Sequence, residues 1–224
     1  MEVSFASTQD FVHYRIVGDI QDKIVRFTAI LRLFRPSHFC IRAFWVRHDS
    51  RLPLFHDQFG YVFSAARDII DHTQLSNAEI EEFKRFYAQY ASALSRHTII
   101  DRATRRYNES YDRVKPDDEL LDLLIAVEIL LMKSRTDTGE IRHKTSTRMA
   151  KLLEGEYERR KSVFNDMRES YDLRSTIVHS GNSGNSTKHV EKTRDYVARS
   201  IISMLNRLSG ASHEEIIDRL DLDH

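Results

Sequence analysis

A single cysteine, Cys40, in 224 residues removes any internal disulfide framework and suits a reducing cytoplasm. Its neighbours Phe39 and Ile41 are apolar, which places it in a core. Three prolines and seven glycines are too few for a turn-rich β architecture and favour long helices. Net charge is also missing: 34 Lys and Arg balance 34 Asp and Glu. No overall field draws this chain onto nucleic acid, so any RNA site has to be a local patch. The longest apolar run, 123–132, is interrupted by Glu128 and falls short of a bilayer span. Glu2 and Asp10 interrupt the short apolar stretches at the start, so no signal pattern is read there. The expectation is a soluble cytoplasmic protein with no membrane partner.

Metal and cofactor signatures are scarce as well. There is no cysteine pair for zinc, no HExxH sequence and no phosphate-cradling glycine loop. His48-Asp49, His56-Asp57 and Asp71-His72 hint at a metal phosphohydrolase, but no matched set of further ligands on helices follows. The reading assigns no metal and no cofactor.

What is present is mostly helical periodicity. Residues 19–34 carry Ile20, Ile24, Phe27, Ile30 and Leu31 on one side of a helix. Residues 39–46 and 54–63 read as strands, the second weakened by Gly60. Ser76-Asn77-Ala78-Glu79 fits a capping box that opens a helix to about 94. Further helices are expected over 98–113, 116–133, 140–154, 157–179 and 188–208. Pro116-Asp117-Asp118-Glu119 suits a helix start. The helix after it is apolar nearly all round and therefore central. Gly181 ends the long helix before a loop, 181–186, and Ser212-His213-Glu214-Glu215 caps a short last helix. The domain reading is a small α+β appendage over 1–75 and a helical domain over 76–224. Two stretches lean basic: 96–115, with six Arg/Lys against three Asp/Glu, and 142–161, with seven against three. Such runs are ordinarily solvated helix faces.

One stretch carries candidate chemistry: Tyr171-Asp172-Leu173-Arg174-Ser175-Thr176-Ile177-Val178-His179-Ser180-Gly181. Histidine titrates near neutrality and can carry protons. Arginine stays charged and grips phosphate through a planar fork of donors. The spacing alone is weak, because Arg followed by His with four to six residues between occurs seven times in this chain.

Context gives it weight. The run Arg105-Arg106-Tyr107-Asn108-Glu109-Ser110-Tyr111, the helix Asp118 to Leu130, the helix Ile141 to Leu153 and the segment Tyr171 to Gly181 together resemble the Apea-like branch of the HEPN superfamily. The resemblance implies an antiparallel helical bundle acting as a metal-independent endoribonuclease, often a homodimer, often a growth-arresting effector of prokaryotic antiviral defence or toxin systems. Its catalytic motif falls on Arg174 and His179. Ser175 supplies the small polar residue that follows the arginine, and Glu128 matches a supporting acid on the central helix. Transfer RNA and messenger RNA are both compatible targets, and an antitoxin or activating subunit is an expected partner. The alternative is a catalytically inactive HEPN module that binds RNA, nucleotide or a partner protein.

In that chemistry the ribose 2′-hydroxyl attacks phosphorus, His179 carries the proton and Arg174 clamps the phosphate. The products are a 2′,3′-cyclic phosphate and a 5′-hydroxyl, and DNA is not cut. Five helical residues put Arg174 and His179 about 140° apart. Either the last turn loosens before Gly181, or a two-fold dimer brings both residues from two chains into one cleft. Glu128, amid apolar neighbours, either orients Arg174 or pairs with another arginine such as Arg148. Tyr171 either stacks on a base or packs in the core. Asn182, in the loop, is a candidate RNA contact that loop composition explains equally well.

Overall fold

A computed structural model describes residues 8–39, 43–46, 59–62, 74–133, 140–181 and 186–222. Among these the chain is mainly helical: α1 (Thr8–Phe34), α2 (Asn77–Arg96), α3 (Thr98–Ser110), α4 (Pro116–Leu131), α5 (Ile141–Leu153), α6 (Tyr157–Ser180), α7 (Thr187–Arg207) and α8 (His213–Leu222). Two short strands, β1 (Ala43–Val46) and β2 (Phe59–Val62), pair antiparallel with Trp45 opposite Gly60. None of the described helices is long and apolar enough to cross a membrane.

Local chemistry accounts for the boundaries. Ser76 Oγ accepts from the Glu79 backbone N–H while Glu79 Oε2 accepts from the Ser76 N–H, so the capping box over α2 forms. Pro116 occupies the first turn of α4, where its missing N–H costs nothing, and three acids follow it. The α1 helix begins eleven residues before the expected start at 19.

The α4 helix is the hub, packing against α3, α5, α6 and α7. Leu120, Leu123, Leu124, Val127, Leu130 and Leu131 are each 0% exposed, and their 3–4 spacing lines the buried face. Burying each leucine stabilises by about 1.5–3 kcal/mol. The helix is not apolar on every side that packs, however. Leu121, Ile125, Glu128 and Ile129 form a partly exposed stripe. The connections 111–115 and 154–156 are short, so the closely packed pairs α3/α4 and α5/α6 reverse direction as hairpins.

The C-terminal end of α4 would leave orphan carbonyls. Arg148 Nη1 donates to Leu131 O at 2.7 Å, and His213 Nε2 donates to Leu130 O at 2.8 Å. Arg148 also grips Asp221 of α8 through Nε (2.7 Å) and Nη2 (2.9 Å). One buried arginine thus ties α4, α5 and α8 together.

Candidate active site

Arg174 leaves the start of the last third of α6, opposite the partly exposed stripe of α4. Its Nη1 lies 3.1 Å from Glu128 Oε1, and its guanidinium carbon lies 6.0 Å from the Tyr171 ring centroid. Glu128 therefore faces Arg174 and not Arg148, which is spent on Asp221 and Leu131. The contact is electrostatic without being an aligned hydrogen bond, because Glu128 Oε1 is buried and accepts none. Tyr171 Oη is in the same condition: it approaches Glu128 and Thr145, yet neither contact is aligned. Two buried polar atoms, Glu128 Oε1 and Tyr171 Oη, thus meet without an aligned hydrogen bond, a condition native interiors seldom tolerate.

Burial sets the electrostatics. It pushes the Glu128 carboxyl above the ordinary carboxylate range, and the opposing pulls of Arg174 and Tyr171 do not cancel it. Burial likewise pushes the Tyr171 hydroxyl up, with the Glu128 charge adding to the effect. A carboxyl raised in the folded state favours folding most when protonated. That contribution is complete below the unfolded value and is lost as pH rises through the folded one. At pH 7 the Glu128 charge therefore costs stability. Glu128→Gln is expected to raise the melting temperature at pH 7, with the gap to wild type closing as pH falls through the carboxylate range. Thermal melts across pH 4–7 check this, and a lower melting temperature for the variant at pH 7 would show the Arg174 contact outweighing burial.

His179 stands exposed in the last turn of α6. That turn does not loosen: Gly181 N–H donates to Ile177 O at 2.8 Å, an α-type bond, and Gly181 then turns into the left-handed region at φ 76°. Regular helix geometry consequently keeps Arg174 and His179 about 140° apart around the axis and roughly 7.5 Å apart along it. No hydrogen bond joins them among the described residues. Between them on the arc stand Val178, 65% exposed, and Ser175, exposed one turn before His179.

Tyr171 is 5% exposed and packs in the core, so base stacking, expected as its alternative role, is not available to it. Asn182 lies outside the described residues, as do Cys40 and the pairs His48-Asp49, His56-Asp57 and Asp71-His72. Among the described residues no group of three or more His, Cys, Asp or Glu side chains comes together.

The basic stretches are partly neutralised in place. Arg105 pairs with Asp101, Arg106 and Arg113 with Asp122, and Arg142 with Asp172. Sequence reasoning gave neither Arg102 nor His213 a role in a site. Both line an open groove of about 570 Å³ that has Glu128 in its wall. Their separation along the chain gave no signal. Compared with family models, curated proteins and solved structures, this chain finds no match.

Proposed function

We propose that the chain is a HEPN-type bundle that cuts RNA without a metal, its helical domain preceded by a small α+β appendage. The observation that carries this reading is Arg174. It is held beside a helix-borne carboxylate by charge alone and makes no hydrogen bond among the described residues. Donors turned away from Glu128 can then fork onto a phosphate.

The reaction needs a base for the 2′-hydroxyl, an acid for the leaving 5′-oxygen and a cation for the phosphorane charge. His179 moves the protons and Arg174 holds the phosphate. One chain cannot bring them together across 140° of intact helix. A homodimer meeting at the end of α6 supplies two histidines and two arginines to one cleft. The exposed Val178, standing between the two residues, supports that contact. The dimer also provides one histidine as base and another as acid. Ser175 flanks His179, and Glu128 orients Arg174. The setting is cytoplasmic, the role a toxin or antiviral effector acting on transfer or messenger RNA, with an antitoxin or activating subunit as its restraint.

The separation of Arg174 from His179 in a single chain also favours a second reading, an inactive module that binds RNA, nucleotide or a partner protein. Incubating purified protein with total RNA in EDTA decides between them. Cleavage that leaves 2′,3′-cyclic phosphate ends, with DNA untouched, is expected. Tight RNA binding without cuts, from a dimer of normal fold, would select the binding module.

A further inference from the structure

Beside the candidate site, and sharing Glu128 with it, lies the 570 Å³ groove between the start of α3, the end of α4 and the start of α8. Its size falls within the roughly 300–1,000 Å³ of pockets that take small ligands. Ile99, 37% exposed, Ile129 and Met132 give it an apolar surface, and Glu128 and Glu214 place carboxylates on its wall. The cations around it are unequal. Lys133 is committed to Asp218 and Asp221 of α8, and the His213 ring is fixed on Leu130 O. On α3, Arg105 pairs with Asp101 and Asp22, and Arg106 with Glu109 and Asp122. Arg102 differs from both. It is exposed on the groove wall and has no hydrogen bond or ion pair among the described residues.

We infer that this groove is a nucleotide subsite, with the base lying on Ile99, Ile129 and Met132 and a phosphate held by Arg102. An apolar surface for a flat ring beside one uncommitted guanidinium matches what a nucleotide offers: a base with two π-faces and an anion at fixed reach. Continuity with the candidate site through Glu128 makes the occupant the nucleotide flanking the scissile phosphate. That identification of the source rests on the ribonuclease reading. A free mononucleotide presents the same chemistry from another source.

The test separates the two sources. Full-length protein is titrated onto a short fluorescent 2′-O-methyl RNA, which cannot be cleaved, and separately competed with AMP. The variants are Arg102→Ala and Ile99→Glu. The second adds a negative charge to the floor at a helix first turn, where an acid suits the fold. Both variants are expected to bind the RNA about tenfold more weakly, and Arg102→Ala to lower the salt-dependence slope by about one, as loss of a single phosphate contact does. A merely structural arginine would leave that slope unchanged. AMP binding with the same dependence on Arg102, and no Arg102-dependent RNA binding, assigns the groove to a free nucleotide. Unchanged affinity and slope in both variants, or no binding of either probe by wild type, overturns the subsite. Cleavage assays on the same proteins keep the two readings apart. Cutting without an Arg102 effect removes the groove alone, whereas Arg102-dependent binding without cutting removes the nuclease alone.

Discussion

His179→Ala is expected to lower metal-free RNA cleavage by about a thousandfold, the middle of the range for losing a positioned proton carrier. Arg174→Ala is expected to cost about a hundred- to a thousandfold, the penalty for removing one donor to a developing oxyanion. Arg174→Lys should recover little, since a lysine restores the charge without the planar fork. His179→Ala should disturb the fold by no more than about 0.5 kcal/mol, as befits an exposed position, whereas Arg174→Ala also takes the charge partner from half-buried Glu128 and costs stability. His179 is exposed, while Arg174 is half-buried between Glu128 and the Tyr171 ring. The dimer adds a sharper expectation. If the proposed dimer forms, mixing and refolding the Arg174→Ala chain with the His179→Ala chain gives heterodimers that retain one arginine and one histidine in the shared cleft. Partial recovery of cutting is expected from the mixture and from neither variant alone. Wild-type rates from His179→Ala would sink the assignment. Inactivity of the mixture, with each parent also dimeric and inactive, would show that one arginine and one histidine do not suffice for a shared cleft.

How far the sequence could be read follows from which forces are local. Capping is local, so Ser76 with Glu79, Pro116 and Gly181 marked their helix ends to within one or two residues. Apolar periodicity is nearly local, so α4 through α7 were legible. The first turns of α1 were not, because His13, Tyr14, Arg15 and Gly18 break its apolar spacing and weaken the helical signal. Glu128 was visible as an acid among leucines, but choosing its partner required the packing of α6 on α4. Arg148 could not be excluded until α8 delivered Asp221 to it across 73 residues. The groove was invisible for the same reason: Ile99, Ile129 and His213 become neighbours only when α8 folds back on the end of α4. The run Arg105 to Tyr111, which read as a family motif, proves to be largely structural in this chain. Tyr107 Oη donates to Arg32 O at 3.0 Å, and the Asn108 side chain accepts from buried Arg32 at 2.8 Å.

The same corner yields the largest expected effect on stability. Tyr111 is sandwiched between two guanidiniums, Arg32 at 4.6 Å and Arg194 at 4.4 Å from its ring centroid. Arg194 of α7 forms an ion pair with Glu119 in the first turn of α4, the two side chains only 10% and 3% exposed. Arg194 Nε, equally buried, finds no acceptor. The desolvation of this pair is thus incompletely offset by hydrogen bonds, and breaking it leaves the Glu119 carboxylate in the interior without its arginine. Arg194→Met is expected to destabilise by about 3–5 kcal/mol, read from urea denaturation. Adding Glu119→Gln removes the stranded charge, so the double variant should return to within about 1 kcal/mol of wild type, a strongly non-additive cycle. Additive costs would show that the two residues contribute through packing and not through each other. Glu119 lies nine residues before Glu128 on α4, about 13.5 Å along the axis. The double variant should therefore keep wild-type RNA cleavage. The pair Arg194/Glu119 then holds α7 on α4, while the pair Arg174/Glu128 is less buried and lacks an aligned hydrogen bond. The difference in burial and hydrogen bonding separates a bond that maintains the bundle from one that, on the proposed function, a phosphate displaces.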